Sequence, residues 1–253
     1  MSQPLHKRAI IAISPAEEGE DVTDFLQGLV TNDVTQAADN KPVYAALLSA
    51  QGKMQFDFFV WPENFELGAG FLLDCEKELA DDLVKRLSLY RLRRKIDIAV
   101  DEQKCSAWAP PASEEEEAKG NDPRLAELGF RSILHVTSTR EGADDRYLAH
   151  RLTHGVAEGR EEMGDLLWLE TNAGDLNGVS FEKGCYIGQE NTARMNWRNK
   201  VNRRLMVVPM EVSDPKRRKA IYRDVGLAVD HLRVADIPAG LAPDWMQLSD
   251  DEA

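Results

Sequence analysis

Hydrophobic positions along this chain recur with two different periods, and the period assigns each stretch its element. Over residues 54–61 they alternate: Met54, Phe56, Phe58 and Val60 point one way and Gln55, Asp57, Phe59 and Trp61 the other, as on an extended strand. Residues 43–48 are also apolar and Ser49-Ala50-Gln51-Gly52-Lys53 lies between, so the two runs predict a β-hairpin with a loop of about five residues. Asp57 is then a carboxylate among aromatics on a strand covered on both sides. Over residues 76–93 the spacing lengthens. Leu79, Leu83, Leu87 and Tyr90 fall on one helical stripe, with Asp81/Lys85 and Asp82/Arg86 as i,i+4 pairs on the outer face. Phe25, Leu26, Leu29 and Val30 form a shorter stripe that Asp21 or Thr23 can cap. Residues 9–13, 96–100 and 133–136 read as strands, and 144–153 as a helix on which Tyr147 and Arg151, at i and i+4, share a face. Helices mixed with hairpins, without regular β-α-β alternation, predict an α+β fold with antiparallel sheets.

Composition narrows the classes of function. At 253 residues and 43% hydrophobic, the chain can bury a core as one large domain or two to three small ones. A net charge of -13 argues against direct nucleic-acid binding and against an anionic membrane surface. No basic and apolar leader and no bilayer-length apolar stretch is evident, so the expectation is a cytoplasmic protein with no membrane partner. Cys75, Cys105 and Cys185 are widely spaced and form no C-x-x-C pair, which excludes a disulfide framework or zinc knuckle. One cysteine also cannot hold a whole iron–sulfur cluster, which takes four protein ligands. The Glu-rich run over 113–120 reads as a solvated loop.

The densest chemistry lies at Lys183-Gly184-Cys185-Tyr186-Ile187-Gly188-Gln189-Glu190, where one thiol sits between two glycines. Gly184 and Gly188 predict a tightly bent loop presenting Cys185. Lys183, Arg194 and a helix N-terminus near Gln189 would favour the thiolate; the alternative is a small buried hydrophobe. Arg194, Arg198, Lys200, Arg203 and Arg204 follow as a basic run that could attract an anionic partner or simply guard a strand edge, with Trp197 read as a packing residue. His150 and His154 share a helical face, but the intervening residue is Arg151 and no third ligand is marked, so zinc is discounted.

The octet matches the K-G-C-Y-x-G-Q-E signature, and with it the chain resembles the YgfZ family of folate-binding proteins, relatives of the glycine-cleavage T-protein, an aminomethyltransferase. Leu176-Asn177-Gly178-Val179-Ser180-Phe181 and Thr192-Ala193-Arg194-Met195 extend the likeness. So do Phe25-Leu26-Gln27-Gly28, Thr31-Asn32-Asp33-Val34, Gln51-Gly52-Lys53 and Asp122-Pro123-Arg124. The resemblance implies a T-protein-like folate-binding fold: residues 1–100 with 160–200 as a first, discontinuous unit, 101–159 as a second, and 201–253 as a shortened C-terminal β segment. It also implies tetrahydrofolate as cofactor. Asn32, Asp33 and Asp57 are the candidates for the pterin donors, Tyr147 for an aromatic contact and Arg151 for a carboxylate; without the resemblance these residues read as turn and surface positions. The implied function is an accessory factor in iron–sulfur cluster assembly or repair, with iron–sulfur carrier or client proteins as partners, tRNA-modifying enzymes among them, and Cys185 as the functional thiol. The alternative is a folate-dependent aminomethyltransferase acting through Asp57. T-proteins carry two adjacent acids where this chain has Phe56-Asp57, which counts against that alternative.

Overall fold

The computed structural model describes residues 2–111, 120–136, 141–197 and 201–248. The Glu-rich run and both Arg198 and Lys200 lie outside the described residues, apart from Gly120. Strands β1 (Gln3–Pro4), β2 (Arg8–Pro15), β3 (Val43–Leu48), β4 (Met54–Phe65), β5 (Gly68–Glu76) and β6 (Ile96–Val100) come from the first part of the chain, with helices α1 (Val22–Gln27) and α2 (Ala80–Arg91) between them. All but β1 form one antiparallel sheet in the order β3-β4-β5-β2-β6. Alternation on the central strands sends side chains to two cores. Phe58, Val60 and Leu73 meet Phe25 and Leu26 of α1 and Leu83 and Leu87 of α2 on one face. Phe59, Trp61 and Leu72 meet Leu152, Trp168, Tyr186 and Val229 on the other. Each such fully buried side chain contributes about 1.5–3 kcal/mol, so the central strands read apolar on both sides.

Two expectations need correction. Met54 belongs to the second core, not with Phe56, because the register between β3 and β4 slips at Leu47/Leu48 and leaves Gln55 as an extra residue. On α2 the ion pair formed is Lys85 with Asp82, at i,i+3 and 3.3 Å. Asp21 caps α1, accepting from the Asp24 N–H at 2.9 Å.

A second sheet, β1-β7-β8, holds β7 (Lys104–Ala109) and β8 (Phe130–His135), so the first residues of the chain join it rather than the sheet that follows them in sequence. Helices α3 (Asp144–Thr153) and α4 (Gly159–Met163) lead on to α5 (Gln189–Trp197). The chain ends in a three-stranded antiparallel sheet of β9 (Arg203–Pro209), β10 (Arg218–Tyr222) and β11 (Leu227–Arg233), ordered β10-β11-β9. That sheet is the shortened β segment.

Candidate functional site

Cys185 is the exposed cysteine of the three; Cys75 is buried and Cys105 intermediate. Burial pushes the Cys75 thiol up to about 12, which makes it inert at neutral pH. The loop carrying Cys185 is clamped on both sides. Before the thiol, the Lys183 ammonium donates to the carbonyls of Gln27 (2.7 Å), Val30 (2.6 Å) and Asn32 (3.0 Å). Burial lowers its pKa to about 8, with Asp33 pulling the other way. After the thiol, Tyr186 is buried and Gly188 has φ +82°, where a Cβ would lie 2.5 Å from the Ser49 carbonyl oxygen and 3.1 Å from Gly52 Cα. Asn191 of α5 adds a bond to the Gln51 carbonyl at 2.6 Å. The hairpin loop and the α1–β3 connection thus hold the thiol loop between them.

This geometry revises the roles expected of the signature residues. Lys183 spends its donors on backbone carbonyls, and Arg194 pairs with Glu190 of its own helix at 2.6 Å, so neither is directed at the thiol. Gly184 has neither a positive φ nor any atom within 4 Å of a would-be Cβ, so the tight turn belongs to Gly188 alone. Gln189 opens α5. Trp197, expected to pack, is 91% exposed. Of the basic run, Arg204 is engaged by Asp175 at 2.9 Å.

The residues expected to bind a folate are already partnered, Asn32 and Asp33 beside Lys183 and the others away from the thiol loop. Asn32 donates to the carbonyls of Tyr44 and Asn177, and Asp33 caps its own turn by accepting from Thr35 and Gln27. Arg151 meets a carboxylate in the fork geometry expected, but it is Glu162 of α4, at 2.7 and 2.9 Å. Asp57 is 4% exposed and accepts from the Tyr44 hydroxyl at 3.1 Å; burial, then Glu158, raises its pKa. Tyr147 is buried, its hydroxyl among Arg124 (2.8 Å), Arg131 and Glu158 (2.5 Å), and burial pushes it up to about 12.

That hydroxyl belongs to an ion network the sequence reading did not assemble. Arg8 binds Asp74 (2.5 Å) and Glu158 (3.0 Å). Arg124 binds Asp122 through two parallel bonds (2.9 and 2.8 Å) and pairs with Glu158 at 2.7 Å. Arg131 binds Asp122 (2.8 Å), Asp74 (3.2 Å) and Glu158 (3.3 Å). Burial alone would raise the Glu158 carboxyl, but Arg124, Arg8 and Arg131 together hold it well below its ordinary range. Three guanidinium groups therefore face three carboxylates, with Asp57 as a fourth acid biased toward its neutral form. The signal available beforehand was a charge inside an apolar run, as with Asp74 in Phe71-Leu72-Leu73-Asp74-Cys75.

A cavity of ≈ 190 Å³ borders this network along Arg8, Tyr147, Arg151, Glu158, Glu162 and Tyr222. Ligand pockets run to about 300–1,000 Å³, so this cavity lies below the usual range, and the groups offered for folate recognition have partners within the fold. A larger cavity of ≈ 720 Å³, also bordered by Arg8, reaches Leu5, His6, Lys77, Cys105 and His135, but none of the expected folate residues and no Phe, Tyr or Trp ring lines it. Among the described residues no helix is long and apolar enough to cross a membrane.

No family model matches the chain. It is similar to the iron–sulfur cluster assembly factor IBA57, mitochondrial, of Homo sapiens, with 34% identity over 265 aligned positions, 90% of this chain and 74% of that protein. It is also similar to the IBA57 homolog, mitochondrial, of Coccidioides immitis, 31% identical across 84% of this chain and 57% of that protein. The homolog of Mycosarcoma maydis is 34% identical across 79% and 54%. The chain thus spans between about half and three quarters of the length of these relatives. Their mitochondrial designation overturns the cytoplasmic expectation: lack of an apolar export segment does not separate those two compartments. In fold, the chain is similar to the glycine cleavage system aminomethyltransferase T of Bartonella henselae, with a TM-score of 0.62 at 12% identity over 92% of this chain and 78% of that one.

Proposed function

The chain belongs to the IBA57 family of iron–sulfur cluster assembly factors, and we propose that it serves the assembly of iron–sulfur clusters by presenting Cys185 to a cluster or its carrier. The observation that carries this reading is the exposed Cys185 on a loop held at both ends, by Lys183 in its cage of carbonyls and by Gly188 against Gly52. A fixed, accessible thiol suits transient ligation. A cluster normally takes four protein ligands, so Cys185 can supply only one of them, and a carrier or client protein must bring the rest. Iron–sulfur enzymes that modify tRNA are among the clients this reading includes.

The cluster is cargo, and no folate takes part in this account. One-carbon transfer through Asp57 is the weaker reading, since that carboxyl is 4% exposed, accepts from Tyr44 and lacks a second acid next to it in sequence. Anaerobic mixing with a [2Fe–2S]-loaded carrier, followed by visible circular dichroism, tests the proposal. A cluster signal that persists in a mixed complex with Cys105→Ser but disappears with Cys185→Ser is expected. An unchanged signal with Cys185→Ser would refute it.

A further inference from the structure

The ion network bears on what this fold can hold. A pterin ring is a flat heterocycle whose 2-amino and N3 edge is a cyclic guanidine: two parallel N–H donors read by a carboxylate, and a face that stacks on an aromatic ring. The buried carboxylates Asp122 and Asp74, the half-buried Glu158 and the rings of Phe59, Tyr44 and Tyr147 provide that set of partners. We propose that this chain works without folate, because the Arg131 guanidinium takes the place of such a ring between Phe59 and Tyr147 and, with Arg124, occupies the carboxylates that would read it. The Arg131 guanidinium carbon lies 3.9 Å from the Phe59 ring centroid and 4.8 Å from that of Tyr147. Arg124 lies 4.8 Å from Phe59 and 5.1 Å from Tyr44. Arg124 offers Asp122 the same parallel pair of N–H donors that a pterin edge would, at 2.9 and 2.8 Å.

The substitution extends to charge. A neutral pterin carries no formal charge to balance Asp74, Asp122 and Glu158, whereas three arginines do. Both Arg124 and Arg131 have fully buried side chains, and the cavity that borders Arg8, Tyr147 and Glu158 stops short of them. Expelling either guanidinium to admit a ligand would leave charges unpaired in the interior, which is among the costliest changes a folded chain can undergo. The larger cavity is lined by no Phe, Tyr or Trp ring and by none of the carboxylates of the network.

The test is independent of Cys185. The unaltered protein is titrated calorimetrically with tetrahydrofolate under anaerobic conditions and, separately, with 5-formyltetrahydrofolate, and its thermal midpoint is recorded. A true ligand at about 100 times its dissociation constant would raise the midpoint by roughly 5–10 °C. Neither heat nor shift is expected; saturable one-to-one binding of either folate overturns the proposal. Arg131→Ala supplies the second arm. Methylguanidinium should raise the melting midpoint of Arg131→Ala and leave that of the unaltered protein in place, because it restores a planar group to the vacated slot. An equal effect on both proteins counts against the stand-in role, as does none on the variant. If Arg131→Ala does not fold, the binding measurement on the unaltered protein decides by itself.

Discussion

Replacing Glu158 by Gln removes one charge from the centre of the molecule while keeping the side chain's volume. Glu158 meets Arg8 at 3.0 Å, Arg124 at 2.7 Å, Arg131 at 3.3 Å and the Tyr147 hydroxyl at 2.5 Å, so its loss leaves three guanidinium groups paired with Asp74 and Asp122, and Asp57 as the remaining acid near them. Breaking a buried pair in this way costs about 3–5 kcal/mol. With a urea slope of about 3 kcal/mol/M, the unfolding midpoint at pH 7 falls by roughly 1–1.7 M. Asp57 decides where in that range the value lies. Glu158 is one of the groups that raise the Asp57 pKa, so in Glu158→Gln the Asp57 carboxyl ionises more readily and offsets part of the loss. Asp57→Asn should therefore change sign with context. Alone it stabilises at pH 7, because a carboxyl whose folded pKa is raised contributes stability below its unfolded value of 3.8 and loses it as pH rises through the folded value. In the Glu158→Gln background it destabilises, with a coupling of about 0.5–3 kcal/mol. Urea unfolding of the four proteins, with exposed Glu161→Gln as a charge-matched control, reads this directly. A Glu158→Gln midpoint indistinguishable from that of Glu161→Gln, or strictly additive effects at Asp57 and Glu158, would refute the reasoning.

The native protein's pH profile carries a related expectation. Glu158 has a folded pKa held well below its ordinary 4.5, so its contribution is in place above that value and drains away as pH falls through the folded one; acid unfolding of Glu158→Gln should show a shallower loss below about 4.5. Lys183→Met deprives three carbonyls of their donor, and at this half-buried site should cost about 1.5–3 kcal/mol and speed hydrogen exchange over 180–186; unaltered exchange would show that the ammonium is not an anchor. Gly188→Ala should destabilise by roughly 1–3 kcal/mol, because its φ of +82° is strained for alanine and its Cβ would meet the Ser49 carbonyl at 2.5 Å. Gly184→Ala should be neutral or stabilise by up to about 1 kcal/mol, and equal losses at both glycines in thermal unfolding would contradict the clamp.

Periodicity made the antiparallel sheet and its two-sided burial legible, because alternation over 54–61 and the stripe over 76–93 are properties of neighbouring residues. Met54 was misplaced because a bulge depends on how two strands align, and the alternation of one strand does not reveal it. The bent loop presenting Cys185 was legible, but the role of Lys183 was not: a cage of three backbone carbonyls has no side-chain signature. Tyr147 and Arg151 were placed correctly on one helical face, yet their partners come from Arg124, Arg131, Glu158 and Glu162, which only the tertiary fold brings there. Trp197 was read from the average behaviour of its residue type. On a helix whose buried residue is Thr192, that average does not hold.

The close approach of Gly188 to Gly52 joins positions 136 residues apart in the chain. Contacts of such sequence separation are slow to form, because the intervening chain must first give up its freedom. The hairpin can close early during synthesis and bind residues 166–168, but its loop cannot meet Gly188 until that residue has left the ribosome. Cys185 thus gains its mount among the last steps of folding, so a truncated or stalled chain would expose a tethered thiol without the support that directs it.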